Sequence, residues 1–351
     1  MTTPFYATRE EIKAELDVKE TARSNTRIDR ALADATEAVH GLCHRRFYPT
    51  VATRYFDWPS SQYRPSWRVW LDESELISLT SVTSGDVTID PADVLLEPNR
   101  SGPPYTRLEL NIGTSAAWGG GSTHQRDITI TGLWGYRNDE TSLGATAEAL
   151  DASETSIDVD AATSAAVGVG SLLRIDSERV IVTGRTQLDT GQTLGGAGLT
   201  NINNSVTVTV QSGGAFAAGE TILIDGERMR VDDIASNTLI VTRAWDGSTI
   251  AAHSVGATIY APRTLTVERG ALGTTAATHA LGAAVALWVP PGPVRQLCIA
   301  EALTDLLQGR SGYARTAGSG ENERETSGRG LADLRARVYT SHGRKARMRS
   351  V

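Results

Sequence analysis

The chain has 351 residues, of which 40% are hydrophobic and 21% are charged, close to the average for globular proteins. Its length exceeds the roughly 100 to 200 residues of a typical domain, so we expect two or three packed units. No stretch reaches the ~18 apolar residues of a membrane-spanning helix, and no secretory signal is visible. We therefore expect no membrane partner and synthesis in the cytoplasm. Cys43 and Cys298 are too few for a disulfide framework and predict buried free thiols.

The formal net charge is −7, which argues against a general nucleic-acid surface, because binding to phosphates needs basic residues. Segment 328–351 is an exception, with seven Arg or Lys residues and one acidic residue, Asp333. Leu331, Leu334 and Val338 recur there at helical spacing. We expect a short helix whose apolar face docks on a protein partner. Contact with DNA and a solvated tail are the alternatives.

Helices are predicted near both ends of the chain. Thr8 and Glu11 have the spacing of a capping box, which predicts a helix over about 9–16. Apolar residues recur at helical spacing over 28–43 and predict a longer amphipathic helix. A third helix follows Pro293, since proline suits a first helical turn.

The middle of the chain reads as β structure. Short alternating runs punctuated by Gly and Pro lie between residues 51 and 136. Farther on, 155–179 aligns without a gap on 204–228 at an offset of 49 residues, while 239–256 aligns on 265–282 at an offset of 26. Copies in series would keep a single offset. The unequal offsets predict one small β domain nested in another.

The sequence thus predicts an α+β multidomain chain. Its core, residues 1–139 plus 290–351, is expected to be helical with a β extension. Two nested small all-β domains interrupt this core, an outer one at 140–190 plus 262–289 and an inner one at 191–261. Such insertion is tolerated where the ends of a surface loop lie close together.

Signals for metal binding are weak. His40 and His44 have the spacing of two ligands on one helical face, but no Glu accompanies them in the metalloprotease order, and a helix end that meets a partner is the simpler interpretation. Ile224-Asp225-Gly226-Glu227 and its counterpart Ile175-Asp176-Ser177-Glu178 have the pattern of tight hairpin turns. Ca²⁺ binding by the two acids of each turn is the alternative to a role in the turn.

Catalytic signatures are not found in the sequence. There is no P-loop, no Gly-x-Ser-x-Gly elbow and no His-Glu-x-x-His. The loop from Gly119 to His124 juxtaposes a hydroxyl and an imidazole without an identifiable acid. His253 and His279 occupy equivalent repeat positions, which predicts a shared packing or hydrogen-bonding role. We expect no enzyme activity, no catalytic residues, no metal and no cofactor.

Four segments, in this order, resemble one family. They are Thr8-Arg-Glu-Glu-Ile-Lys-Ala-Glu-Leu16, Asp29 to Ala38 leading to Arg45-Arg-Phe47, Ile128-Thr-Ile-Thr-Gly-Leu-Trp-Gly-Tyr136, and Val289-Pro-Pro-Gly-Pro-Val294. Their pattern is similar to that of the head-to-tail connector (adaptor, head-completion) proteins of long-tailed bacteriophages. The resemblance covers 1–139 and 290–351. In that family the Gly-Tyr end of the β stretch is followed almost at once by the proline of the next helix, so the resemblance also places the insertion.

The resemblance implies a helical connector core and a structural protein of the virion neck, made in the host cytoplasm. The chain would form a homo-oligomeric, dodecameric ring between the portal and the tail or stopper (head-closure) protein, and DNA would pass through the lumen without sequence-specific binding. The C-terminal region engages the portal in this family. Carried over here, the portal-binding residues are Leu331, Leu334, Arg335, Arg337, Val338, Arg344, Lys345, Arg347 and Arg349. The alternative is virion decoration or host-glycan binding by the inserted β domains.

Overall fold

The computed structural model describes residues 3–16, 22–58, 66–100, 102–311, 316–317, 324–325 and 329–345. The chain forms two compact units. The first, here the module unit, comprises Met1–Val39, Glu140–Ala271 and Thr275–Val338. The second, here the two-sheet unit, comprises His40–Asp139, Leu272–Thr274 and Tyr339–Val351.

Five α-helices occur in the described residues: α1 Arg9–Leu16, α2 Ala22–Cys43, α3 Ala161–Ala166, α4 Gly292–Ser311 and α5 Arg329–His342. The predicted capping box is confirmed. The Glu11 carboxylate accepts a hydrogen bond from Thr8 N at 2.7 Å, and Glu11 N donates to Thr8 Oγ1 at 3.3 Å. None of the helices in the described part of the chain is long and apolar enough to cross a membrane.

The two-sheet unit contains seven described strands: β1 Thr50–Phe56, β2 Arg68–Trp70, β3 Leu76–Ser84, β4 Val87–Ile89, β5 Val94–Glu97, β6 Arg107–Leu110 and β7 Ile128–Trp134. They form two antiparallel sheets, ordered β1-β7-β3-β4 and β2-β6-β5. Both sheets contribute to one core, and alternate residues of β7 point into it, including Ile128, Ile130 and Trp134. This alternation is the period of a strand with one buried face.

The module unit contains the remaining strands: β8 Glu140–Ala145, β9 Ser156–Asp158, β10 Leu172–Ile175, β11 Glu178–Thr193, β12 Thr207–Thr209, β13 Thr221–Ile224, β14 Glu227–Ala235, β15 Thr238–Thr242, β16 Thr258–Glu268, β17 Ala284–Trp288, β18 Thr316–Ala317 and β19 Arg324–Glu325. Strands β8 to β17 join in one antiparallel sheet, while β18 and β19 pair with each other.

This large sheet has two hydrophobic cores. One includes Leu150, Ile157 and Val285, here the outer module, and the other includes Leu199, Phe216 and Ile259, here the inner module. The long strands β11 and β16 pair along both, from Ile181 opposite Glu268 to Thr193 opposite Thr258. A paired ribbon of two strands therefore connects the modules. The predicted boundaries of the nested domains stay predictions.

The predicted fold class is wrong. The structure is mainly β, with 36% strand and 25% helix, so it does not have a helical connector core. The reason is that the inserted repeats form a large sheet and the segment expected to be a β extension has a hydrophobic core of its own. The helices predicted near the chain ends are present, but they contain too few residues to make the fold mainly helical.

Candidate partner-binding region and duplicated ion clusters

The apolar face of α5 lies against its own chain. Val338 is fully buried, and Leu331 and Leu334 are half-buried. Arg335 forms a bidentate ion pair with Glu301 of α4, with N···O distances of 2.5 and 2.6 Å. Planar guanidinium and carboxylate groups match in this geometry. The helix expected to dock on a partner is thus already held by intramolecular contacts.

The basic residues after α5 contact the two-sheet unit to which they belong. Arg344 donates from its guanidinium to Asp72 O and Glu73 O, each at 2.6 Å, and its backbone N donates to Cys43 O at 2.9 Å. Lys345 Nζ donates to Tyr339 O at 2.8 Å and lies 4.2 Å from the centre of that ring. These contacts hold residues 344 and 345 against the two-sheet unit.

The predicted portal-binding residues differ in their burial and in the unit to which they belong. Leu331, Leu334, Arg335, Arg337 and Val338 lie on α5 in the module unit, whereas Arg344 and Lys345 lie in the two-sheet unit. Arg337 is exposed. Arg347 and Arg349 are outside the described residues. A contact of these residues with a portal protein stays a prediction.

Helices from the two ends of the chain meet in the module unit. Thr36 Oγ1 in α2 lies 3.7 Å from Cys298 Sγ in α4, and Glu11 of α1 pairs with Arg295 of α4. Burial raises the pKa of the Cys298 thiol to about 11, so this thiol stays neutral and unreactive. Cys43 and Cys298 are buried free thiols, as predicted.

The inner module contains a buried ion cluster around Glu227, which has no exposed surface. Its carboxylate accepts two hydrogen bonds from Arg243, at 2.7 and 2.6 Å, and is contacted by His253 Nε2 at 2.9 Å. The backbone N–H groups of Ala244 and Ala251 donate to it at 3.1 and 2.9 Å. All the partners that hold this carboxylate come from one loop after β15.

The outer module repeats the cluster around Glu178, which is equally buried. Arg269 donates to its carboxylate at 2.8 and 2.9 Å, and His279 Nε2 lies at 2.9 Å. Two backbone N–H groups, of Gly270 and Ala277, complete it at 2.8 and 3.0 Å. Each first half of the repeat therefore contacts the second half that the sequence offsets assign to it.

An exposed aspartate completes each cluster. His253 Nδ1 lies 2.7 Å from Asp225, and His279 Nδ1 lies 2.8 Å from Asp176. Both aspartates stand at the hairpin turns with φ of 51°, a left-handed conformation that Asp tolerates in turns. The predicted hydrogen-bonding role of the two histidines is confirmed. The turn role of the aspartates is likewise confirmed.

The clusters have the electrostatics of structural ion pairs. Burial by itself raises the pKa of Glu227, but hydrogen bonds from Arg243, His253 and two backbone amides outweigh it and lower the pKa to about 2. The pKa of Glu178 falls to about 2 for the same reasons. Each carboxylate is charged and fully hydrogen-bonded at neutral pH. Each carboxylate therefore has a structural role, which is to hold the loop that carries its partners against the hairpin.

The sequence reading missed the central Glu–Arg pairs. It assigned Glu178 and Glu227 to the hairpin turns and the histidines to equivalent positions. It did not connect the glutamates with Arg243 and Arg269, which are likewise retained in both copies. Retention of an acid and a base at matching repeat positions was the signal that could have predicted the pairs. A buried ion pair must be matched in both halves, since removing one partner leaves an uncompensated charge.

The other predicted chemistry is accounted for by ordinary contacts. His40 packs edge-on against Tyr48, with 5.7 Å between ring centres, and His44 has a left-handed φ of 52° just after α2. Among the residues that the structure describes, no group of three or more His, Cys, Asp or Glu could hold a metal ion. His124 is exposed in its loop.

Each unit has a cavity with mixed charge. In the module unit a cavity of about 470 Å³ is lined by Glu10, Arg185 and Trp245, among others. In the two-sheet unit a cavity of about 840 Å³ is lined by Arg45 and Arg344, among others. Both volumes are large enough for a small ligand, but each lining contains both acidic and basic groups, which together select no ligand charge.

No protein-family model, curated protein or solved structure matches this chain.

Proposed function

We propose that this chain is a structural protein of a virion, a head-to-tail adaptor that forms a ring between the portal and the tail or stopper protein. DNA passes through the lumen of that ring. The role is assembly, and the chain makes and breaks no bond.

One observation carries the proposal. The segments that resemble the connector family at the two ends of the chain pack together although 150 residues of insert separate them. Glu11 pairs with Arg295, and Thr36 lies against Cys298. Contacts between α1, α2 and α4 are what a scaffold interrupted by an insertion would have.

The charge distribution supports a channel role. The chain has a net charge of −7. A ring wall of the same sign would repel the DNA backbone, and a duplex that is not held can slide. Part of the basic segment is already engaged within the chain. Glu301 neutralises Arg335, and backbone oxygens accept hydrogen bonds from Arg344. This arrangement favours a protein contact over a DNA contact for α5.

A glycan-binding role has less support. Stacking on a sugar needs exposed aromatic rings, but Phe216 and Trp288 are 5% and 3% exposed. Trp245 lies under the Arg230 guanidinium at 5.2 Å from its ring centre. Tyr260, at 37% exposed, stands alone among the aromatic residues of the inserts that the structure describes.

Electron microscopy of the full chain, alone and mixed with the portal protein encoded by the same genome, tests the proposal. We expect an annulus that stacks coaxially on the portal. The variant Arg337→Glu reverses an exposed charge on α5 and should weaken that docking, while Arg100→Glu, an exposed loop residue of the two-sheet unit, should not. A chain that stays monomeric and ignores the portal would contradict the proposal.

A further inference from the structure

The N-terminal segment, residues 3–10, is docked on a loop of the outer module. Phe5 N donates to Gly170 O at 3.0 Å, and a second backbone N–H of the segment donates to Val169 O at 3.2 Å. Val169 N in turn donates to the Glu10 carboxylate at 2.8 Å. Buried backbone groups need such partners. The N-terminal segment thus satisfies three backbone groups of this loop.

The inner module contains the same loop. Residues 167–171, here the occupied loop, align on residues 216–220, here the open loop, at the 49-residue offset of the repeat. The glycines at the fourth position, Gly170 and Gly219, have φ of 100° and 92°. Each glycine N–H donates to a strand carbonyl, at 2.8 and 2.7 Å. The two loops therefore have the same backbone conformation at these glycines.

The two loops differ in what covers them. All residues of the occupied loop are buried, whereas Ala218 is exposed and Gly219 is half-buried. Ala218 N, Ala218 O and Gly219 O correspond to the three groups that the N-terminal segment satisfies. Among the described residues, none of these three atoms has a hydrogen-bond partner. Gly219 and Thr221 also line the cavity of about 470 Å³. The open loop thus keeps the same backbone groups available.

The open loop also has room for a side chain. An added Cβ at Gly170 would overlap the ring of Phe5, so this ring packs directly on the glycine. At Gly219 the nearest atoms to an added Cβ belong to Ala165, at 3.8 and 3.9 Å. The position that Phe5 fills in the outer module is therefore less closely packed in the inner module.

We infer that the open loop binds an extended segment of another polypeptide, in the way that the occupied loop binds the N-terminal segment. Main-chain hydrogen bonds supply the affinity in such docking, and the neighbouring side chains supply the specificity. The mixed charges of the cavity lining suit this occupant, because a peptide backbone is neutral. The inference concerns the module unit alone and does not depend on the proposed place in a particle.

One difference between the loops defines the chemistry of the occupant. Gly168 of the occupied loop corresponds to Ala217 of the open loop. An added Cβ at Gly168 would overlap the Glu10 carboxylate and lie 2.6 Å from Thr8 Cβ. A carboxylate at the end of a flexible side chain can shift, but the Cβ of Thr8 is fixed by its backbone. The open loop therefore needs glycine in the place of Thr8. We expect the pattern aromatic-x-x-Gly-x-Glu in the occupant, which excludes the N-terminal segment of a second copy.

The probe is a fluorescein-labelled peptide with the sequence of residues 3–16 and the substitution Thr8→Gly, which has this pattern. Fluorescence anisotropy measures its binding to the full chain, in comparison with the unsubstituted peptide. Ala218→Glu places a carboxylate beside the position of the probe's glutamate and should repel it. The matched control is Ala252→Glu, the same change at an exposed alanine of the inner module outside the open loop.

We expect saturable binding of the glycine peptide to wild type and to Ala252→Glu. This binding should be at least about tenfold tighter than that of the unsubstituted peptide, because forcing extra carbon atoms into a packed contact is costly. Ala218→Glu should weaken it by a similar factor. Ala217→Gly should remove the preference between the two peptides, since it removes the Cβ that causes the overlap.

Absence of saturable binding to wild type would overturn the inference. Binding that is equally tight in Ala218→Glu would overturn it as well, because the peptide would then bind elsewhere, as it does if it displaces the N-terminal segment from the occupied loop. A preference for the glycine peptide that persists in Ala217→Gly would contradict the assigned contact. Because Ala217→Gly adds no side-chain atoms, this last readout holds even if Ala218→Glu fails to fold.

Discussion

The inner and outer modules contain the same ion cluster but close it over very different lengths of chain. Glu227 and Arg243 are 16 residues apart, whereas Glu178 and Arg269 are 91 residues apart. The contact geometry is nearly identical, so the local energies should be similar. Loop-closure entropy alone disfavours the longer separation by about 1.5 kcal/mol.

This difference indicates that folding of the outer module depends on the inner module. Once the inner module has folded, the paired strands β11 and β16 bring the two halves of the outer module together. The effective loop is then much shorter than the sequence separation. We therefore expect the inner module to fold first. The outer module should unfold at a lower cost in free energy than the inner one.

The largest expected effect comes from removing one central glutamate. Glu227→Ala leaves Arg243 buried without its carboxylate, which costs about 3–5 kcal/mol. It should remove hydrogen-exchange protection from both modules. Glu178→Ala should cost a similar amount but remove protection from the outer module alone. Peptide-resolved exchange measures this asymmetry.

The control for that comparison is Asp86→Ala, an exposed acid of the two-sheet unit, which should leave both modules protected. The opposite result would contradict the proposed dependence. In that case Glu178→Ala would remove hydrogen-exchange protection from the inner module, and Glu227→Ala would leave the outer module protected.

Acid should weaken the two clusters alike. The pKa of Glu178 and of Glu227 is about 2 in the folded chain and 4.5 ordinarily. A folded pKa below the unfolded one gives stability that is present above pH 4.5 and is lost as pH falls from about 4.5 towards 2. Urea midpoints measured across this window should fall steadily. Midpoints that stay constant would show that the carboxylates do not carry the modules' stability.

Excising the inner module should have a smaller effect. Leu188 pairs with Ala261, so replacing residues 189–260 by Asn-Gly would close the ribbon with a two-residue hairpin turn. The outer module should still unfold cooperatively, at a lower temperature because Arg263 loses Glu220, its partner at 2.8 Å. Calorimetry of the shortened chain measures this. A chain without a cooperative transition would show that the inner module is part of the outer one's core.

The smallest effect is expected at the exposed aspartates. Asp225→Asn and Asp176→Asn each remove a charge whose side chain is 64% exposed, and an exposed pair contributes less than about 1 kcal/mol. Chemical denaturation should place both variants close to wild type. A loss as large as that of the glutamate variants would mean that the histidine contacts are held chiefly through the aspartates.

Local signals predicted local structure well. The capping box of Thr8 and Glu11 predicted α1, and the Asp225-Gly226 turn predicted the hairpin of β13 and β14. These features are set by residues a few positions apart, so the sequence displays them directly. The spacing of Leu331, Leu334 and Val338 likewise predicted a helix, which α5 supplies.

Such local signals do not predict contacts between residues far apart in the sequence. The pairing of Glu178 with Arg269, and the burial of Val338 against its own chain, depend on how distant segments meet. The fold-class prediction was wrong for the same reason. Strands of the two inserts pair in one large sheet, and no single window of sequence shows that pairing. Sequence indicated that α5 has an apolar face but not which surface covers it.

The proposed place between portal and tail is tested most directly by cryo-electron microscopy of virus particles produced from the genome that encodes this chain. We expect a ring of this chain between portal and tail, with density for the inner and outer modules continuous with it. Finding the chain scattered over the capsid surface or on a tail fibre, with a different protein beneath the portal, would contradict the account.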